Sequence, residues 1–265
     1  MRASRSRPTV DVVIPTLNEA HVLEKSVRTL RDFLGTHLGG YDWRVVVADN
    51  GSSDGTDGVA RRLAGSLPDV RGVFLSERGR GNALRRAWRE STADIVCYMD
   101  VDLSTELTAL PKLLDAIALD GFDIAIGSRL ARGARIDRSL RREAISRCYN
   151  LLVRALLRTR FSDAQCGFKA ISRRVVEEIV PLVEDGSWFF DTELLVLAEK
   201  HGFRIKDVPV LWIEDNDSRV RIIPTALADI RGLLRLRRSL ARGLPARATE
   251  ACASDPRPPG PKSGQ

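Results

Sequence analysis

The chain has 265 residues, 43% of them hydrophobic and 29% charged, with a formal net charge of +7. That supplies apolar material for one large α/β domain with appendages, and the charged fraction is that of a soluble protein. No stretch approaches the ~18 consecutive apolar residues of a membrane-spanning helix. The DVVIP that follows the basic MRASRSRP start is too short for a signal-peptide core. Cys97, Cys148, Cys166 and Cys252 lack the spacing of a zinc site or a disulfide framework.

Short β-rich runs alternate with amphipathic segments through residue 127. Residues 10–15 read as the first strand. In its exit, VVIPTLNEA (12–20), Pro15 stops the ladder and Thr16, Leu17 and Asn18 form a loop able to meet a base or a ribose. Glu19 opens a helix predicted over 20–36, where the dipole favours a carboxylate; Asn18 as a plain helix cap is an equally weighted alternative. The second strand, 44–49, ends on Asp49, an acceptor able to take a hydrogen bond from a pyrimidine N3–H. Asn50-Gly51 permits a turn at positive φ, and Asp54 is placed as the cap of a helix over 55–66. After a strand at 70–75, GRGNALRRAW (79–88) offers two glycines that let the backbone approach a ligand, at a helix start that favours an anion. Arg80 between them is a candidate partner for a diphosphate. Arg85 and Arg86 read as a solvated face of the helix at 80–91. The fourth strand, 95–99, opens into Asp100 and Asp102. Two carboxylates there suit Mg²⁺ or Mn²⁺, since Mg²⁺ takes one or two carboxylates plus substrate phosphates, although Ser104-Thr105 also looks like a helix cap. A helix over 106–119 and a strand over 122–127 complete a predicted, mainly parallel sheet. Every motif sits at the carboxyl end of a strand, so all converge on one crevice.

After residue 128 the pattern changes. Residues 138–158 form a basic amphipathic helix with Ile145, Tyr149, Leu152 and Leu156 at helical spacing. DAQCGFKAIS (163–172) reads as turn-rich, an apolar helix starts at Asp191, a strand covers 207–214, and a second basic helix covers 221–242. Residues 128–160 hold ten arginines against Asp137 and Glu143, and residues 219–242 hold seven against Asp229. Aromatics suited to base stacking are few and leucines are interleaved, which favours an anionic membrane surface over nucleic acid. Leu233, Leu234 and Leu236 would supply the apolar contact, with Arg231, Arg235, Arg237 and Arg238 on the headgroups. The competing reading packs those leucines on the main domain. The organisation is a basic extension (1–8), a main domain (9–220), the basic helix (221–243) and a proline-rich tail (244–265) expected to be disordered.

In combination these motifs resemble glycosyltransferase family 2, nucleotide-sugar-dependent enzymes with a Rossmann-like α/β catalytic domain of the GT-A type. Gly127-Ser128-Arg129, Gln165-Cys166-Gly167-Phe168-Lys169, Phe190-Asp191-x-Glu193-Leu194-Leu195 and Asp217-Ser218-Arg219 look like the dolichyl-phosphate β-glucosyltransferase and dolichol-phosphate mannose synthase group. QCGFK and FDxELL are closer to the glucosyltransferase branch. The resemblance spans residues 9–235. It implies that Pro15, Asn18, Glu19 and Asp49 bind the nucleotide, Arg80 the diphosphate, and Asp100 and Asp102 the metal. It assigns Arg129 and Arg219 to a lipid phosphate, with Arg142 a candidate third member of that clamp. Two departures stand out: Ser104 replaces a Gln of some mannose synthases, and the four-helix membrane anchor of some relatives is missing.

A polyprenyl monophosphate, with a second pKa near ~6, is largely dianionic at neutral pH and needs no general base. The implied reaction is inverting, metal-dependent transfer of a hexose, glucose favoured, from a nucleotide sugar, UDP favoured, giving a β-linked glycosyl phospholipid. GDP-mannose as donor is one alternative. A soluble or cell-envelope hydroxyl acceptor is another, and it would require Asp191 or Glu193 as base. Asp191, just before an apolar helix, reads equally as a contact to acceptor or sugar and as a helix cap, and Cys166 and Phe168 read as packing residues. The expected location is cytoplasmic and peripheral to a membrane, with no nucleic-acid partner.

Overall fold

Apolar runs such as Val45–Val47 and Ile95–Met99 are buried on both faces, and such strands need helices on both sides of their sheet. The computed structural model describes residues 7–137, 140–213 and 222–247. Arg219, Cys252 and most of the proline-rich tail lie outside the described residues. The chain runs β1 (Thr9–Thr16), α1 (Ala20–His37), β2 (Asp42–Asn50), α2 (Thr56–Ser66), β3 (Val70–Leu75), α3 (Arg80–Glu90) and β4 (Ile95–Met99). It continues through α4 (Leu110–Ala118), β5 (Ile124–Ser128), β6 (Arg135–Asp137), α5 (Leu140–Leu157), β7 (Phe168–Ser172) and α6 (Arg173–Glu178). Last come α7 (Phe190–Lys200), β8 (Ile205–Pro209), β9 (Leu211–Ile213) and α8 (Ile222–Arg242).

Seven strands form one sheet in the order β3-β2-β1-β4-β7-β5-β8. β7 runs antiparallel to both β4 and β5, while the remaining pairs are parallel. The turn-rich reading of 163–172 is therefore corrected: Phe168–Ser172 is a central strand. Its alternation is disguised because Lys169, fully buried, occupies an inward position opposite Tyr98 and Ile126. The strand expected over 207–214 divides at Val210, and β9 leaves the main sheet to pair with β6.

Helices α1, α2 and α4 cover one face of the sheet; α3, α5, α6, α7 and α8 contribute to the core on the other. Cys166 and Phe168 are buried packing residues, as expected. On α8 the competing sequence reading prevails for two leucines. Leu233 and Leu236 are buried in the main core, so they are not available to a membrane. Arg235 is likewise tied inward, to Glu184 and to Glu193. Leu233→Ala should accordingly cost about 2–5 kcal/mol, as large-to-small core substitutions do. Urea denaturation measures this, and a change below about 0.5 kcal/mol, typical of surface sites, would contradict the packing.

Candidate active site

β1 pairs with β2 on one side and β4 on the other, so the strand order reverses between β1 and β4. The loops leaving that point are stitched together. Asn18, at φ 58°, donates its backbone N–H to Ser52 Oγ at 2.9 Å and accepts from Ser53 N at 2.8 Å. Glu19 N donates to Thr56 Oγ1 at 2.8 Å, and Ala20 N to Asp54 Oδ2 at 3.1 Å. Asn18 is thus a clasp between two loops; the residue in the N-cap position of α1 is Glu19. Asp54 also accepts from Thr56 N, but left-handed Gly55 holds the N-cap position of α2. Pro15 does not end the strand. It pairs with Ala48 where the ladder to β4, which stops at Val13, has already finished.

Asp49, one residue before the end of β2, is buried. Its Oδ2 accepts from Ser52 N at 3.3 Å, whereas its Oδ1 has no partner. Nor does Oγ1 of Thr16, its register neighbour on β1. Buried polar atoms are nearly always paired, because an unsatisfied one costs about 1–3 kcal/mol. Two orphans side by side at the carboxyl edge are what a site completed by a ligand would leave.

A chain of charges lies beside them. Arg80 donates to Asp191 Oδ2 at 2.6 Å and to Asp100 Oδ1 at 3.0 Å. Its guanidinium sits 4.9 Å from the Tyr98 ring and 5.1 Å from that of Trp188, a cation–π sandwich. The other oxygen of Asp191 takes the Tyr98 hydroxyl and lies 3.2 Å from Lys169 Nζ. Burial alone would raise the Asp191 carboxyl, but Lys169 and Arg80 hold it below the usual carboxylate range. Burial also works against the Arg80 charge, and Tyr98, Asp191 and Asp100 outweigh it. Asp191 is not the helix cap: Phe189 holds that position and Asp191 lies within the first turn of α7. Lys169, Tyr98 and Trp188 are site residues the sequence reading did not assign. Their one signal was a lysine inside the apolar run FKAI.

Gly81 of GRGN serves close packing. A Cβ on Gly81 would lie 2.6 Å from Cβ of Phe190, so glycine lets α3 close on α7. Arg85 is no solvated residue: it donates to the carbonyls of Val183 and Asp185, both at 2.8 Å, and pins the 183–187 loop. Arg86 does face solvent.

Asp100 and Asp102 follow β4 as expected. Asp102 accepts from Ser104 N at 3.0 Å. Asp100 Oδ2 abuts Gly167, where a Cβ would come within 1.8 Å. Among the described residues no group of three or more His, Cys, Asp or Glu side chains could hold a metal ion. Two carboxylates, one already accepting a cation in the form of Arg80, fit a divalent ion that completes its shell with substrate phosphates. Arg129, leaving β5, gives Nε and Nη2 to buried Asp163 at 2.8 and 3.0 Å. Asp163, pushed up by burial, is brought below the usual range by Arg129. Arg142 lies on α5. The chain leaves β9 beside the Ser104–Glu106 segment, and Arg219 follows outside the described residues.

Asp229 of α8 is a further buried carboxylate. Its Oδ2 accepts from Gln165 Nε2 at 2.6 Å and its Oδ1 has no partner. Burial raises its pKa to about 6, opposed by Gln165 and reinforced by Asp185 and Asp191. With the folded value above the unfolded one, the native state binds this proton more tightly. Its contribution to stability is present below about pH 4 and lost as pH rises through about 6. Asp229→Asn should therefore be more stable than the parent at pH 7.5 by roughly 1–3 kcal/mol. Urea denaturation at pH 4 and 7.5 tests this, with the gain confined to the higher pH.

Comparison with known proteins agrees with this geometry. The family model described as Glycosyl transferase family 2 matches residues 11–180. Glycosyltransferase AglD of Haloferax volcanii is 40% identical over 215 residues, 81% of this chain but 34% of that protein. The chain thus spans about a third of that relative's length. Dolichyl-phosphate beta-glucosyltransferase of Saccharomyces cerevisiae is 26% identical over 254 residues, covering 89% of this chain and 76% of that one. Among solved structures, mannosyl-3-phosphoglycerate synthase from Rubrobacter xylanophilus superposes with a TM-score of 0.69 at 18% identity, covering 89% and 76% of the two chains. Glucosyl-3-phosphoglycerate synthase from Mycobacterium tuberculosis, in complex with Mn²⁺, UDP-glucose and phosphoglyceric acid, superposes with a TM-score of 0.65 at 20% identity, covering 87% and 80%. These two establish the fold as an α/β GT-A fold with a mixed, mainly parallel sheet.

Proposed function

Because the chain belongs to glycosyltransferase family 2, we propose that it transfers glucose from UDP-glucose to a polyprenyl phosphate, with inversion, giving a β-linked glycosyl phospholipid. The observation that carries this reading is the commitment of Asp191 and Glu193, the two carboxylates that the sequence offered as bases for an alcohol. Asp191 is held by Arg80, Lys169 and Tyr98 and is lowered by the first two cations. Glu193, pushed up by burial, accepts from Asp185 N and Arg235, both at 2.8 Å. An alcohol acceptor needs a base at this point, whereas a phosphomonoester, dianionic at neutral pH, does not. The relatives named for dolichyl-phosphate glucosyl transfer agree with that acceptor class.

In this reading the orphaned Asp49 Oδ1 accepts uracil N3–H, and Thr16 with the Pro15–Glu19 loop borders the nucleoside. Arg80, pre-oriented by Asp191, meets the departing diphosphate. Asp100 and Asp102 hold Mg²⁺ or Mn²⁺, which when bound would add positive charge at that diphosphate. Arg129, with Nη1 left over by Asp163, and Arg219 orient the acceptor phosphate, whose oxygen attacks in line and inverts the anomeric carbon. Incubation with UDP-glucose, Mn²⁺ and a polyprenyl phosphate should give a glycosyl phospholipid identifiable by mass spectrometry. Asp102→Asn should lower its formation by more than ~100-fold, the scale of losing one strong electrostatic contact. Near-normal turnover by that variant would remove the metal assignment, and transfer only to hydroxyl acceptors would remove the acceptor assignment.

The acceptor is a lipid, and the surface offers a place to meet it. No described helix is long and apolar enough to cross a membrane. Helices α5 and α8 pack together and expose Ile145, Leu151 and Leu152 on one and Leu227, Ile230 and Leu234 on the other. Leu151 is 67% exposed and Leu227 52%. Exposed Arg147, Arg231, Arg237 and Arg238 lie among them. An apolar stripe edged by arginine is complementary to an anionic bilayer. The chain should float with anionic liposomes at low salt and less at high salt. Leu151→Glu combined with Leu234→Glu should abolish flotation without altering the thermal midpoint; unchanged flotation would place the docking face elsewhere.

A further inference from the structure

Asp229 is the buried ionisable group that the proposed reaction leaves without a task. It lies on the inner side of α8, 3% exposed, on a helix whose outer side carries the apolar stripe. Its hydrogen-bond partner among the described residues, Gln165, stands two residues before Gly167, and Gly167 abuts Asp100. From the other direction, burial first and the Asp229 charge second push up the Tyr149 hydroxyl, which is hydrogen-bonded at 2.8 Å to Thr192, next to Asp191. Asp229 therefore sits between the loop that backs Asp100 and the helix that carries Asp191. In the reading above, the hexose must lie between the diphosphate anchored near Asp100 and the incoming acceptor.

We propose that Asp229, oriented by Gln165, accepts a hydrogen bond from a hydroxyl of the transferred hexose and so helps to select the sugar; the proposal rests on the nucleotide-sugar reading above. Its Oδ1 is buried and without a partner. Among the described residues no cation pairs with it, and the groups around it are Gln165, Tyr149, Asp185 and Asp191. The cations of the crevice, Arg80, Lys169 and Arg129, pair with Asp191 and Asp163 instead. A neutral O–H donor is the chemistry such a carboxylate accepts, and a sugar supplies several. Left empty, the position is costly: the same burial that raises its pKa makes the folded chain less stable at neutral pH. A residue that lowers stability in the free protein and gains its partner from a ligand is a recognisable mark of a binding site.

The test compares UDP-glucose with its 2-, 3-, 4- and 6-deoxy analogues in the parent and in Asp229→Asn, both as full chains with Mn²⁺ and polyprenyl phosphate. In the parent, the analogue lacking the recognised hydroxyl should fall by about 10–100-fold in kcat/KM, because a hydrogen bond to a charged group is lost. In Asp229→Asn that penalty should shrink to about threefold, while the calorimetric affinity for UDP, which has no hexose, stays that of the parent. Gln165→Met, which removes the orienting partner, should reduce the same penalty and no other. An equal loss across all five donors, or a loss of UDP affinity, would make Asp229 a structural tether and overturn the proposal. If the parent transfers glucose but its deoxy profile is unchanged in Asp229→Asn, this inference alone fails. If the parent transfers no hexose from UDP, the donor reading fails and takes this proposal with it.

Discussion

A buried carboxylate, Asp191, held between two buried cations, is the constraint on which the crevice depends. Taking three charges out of water is expensive, and removing one partner of such a set leaves an uncompensated charge that costs several kcal/mol. The fold is arranged around supplying those partners. β7 enters the sheet antiparallel between β4 and β5 and so places Lys169 beside Tyr98 on the face where α7 packs. Gly81 lets α3 approach α7 closely enough for Arg80, at the start of α3, to reach Asp191. Trp188 and Tyr98 then hold the guanidinium between two rings. Arg80 is consequently fixed where it also touches Asp100, and the Asp100 carboxylate is tied through it to the contact between α3 and α7.

The side proposed for the nucleotide is built differently. There the loops after β1 and β2 are joined by short hydrogen bonds through Asn18, Ser52, Ser53, Asp54 and Thr56, and little charge is involved. Asn18 accepts a left-handed backbone to make that clasp, a local cost recovered through two hydrogen bonds. The rigidity leaves Asp49 and Thr16 with unpaired atoms at a fixed spacing. Preorganised, unsatisfied polar atoms give selectivity, because a ligand lacking the matching group leaves them buried and unpaired.

Helix α8 has two chemistries on opposite sides. Leu233 and Leu236 anchor it in the core, Arg235 ties it to Glu184 and Glu193, and Asp229 meets Gln165. Leu227, Ile230 and Leu234 point away from that core. The helix that offers an apolar face to the outside is thereby bonded to the two segments, 163–167 and 183–193, that carry or border Asp163, Gln165, Glu193 and Asp191.

The sequence by itself determined the first half of the molecule. Short continuous apolar runs, the amphipathic segments between them and acidic residues at strand ends located β1 to β5, the intervening helices and the convergence of Asp49, Arg80, Asp100 and Asp102 on one edge. It also gave the family, through motifs whose spacing survives in the chain. What it left open concerns residues whose partners are distant in sequence. Whether Asp191 was a cap or a member of a buried charge cluster depended on Arg80, 111 residues away, and on Lys169 in a strand masked by its own charge. Whether the leucines of α8 met lipid or core depended on which side of the helix the rest of the fold covers, and an amphipathic pattern specifies a stripe but not its neighbour. Tertiary structure alone decided those, because burial and charge pairing are properties of what surrounds a residue.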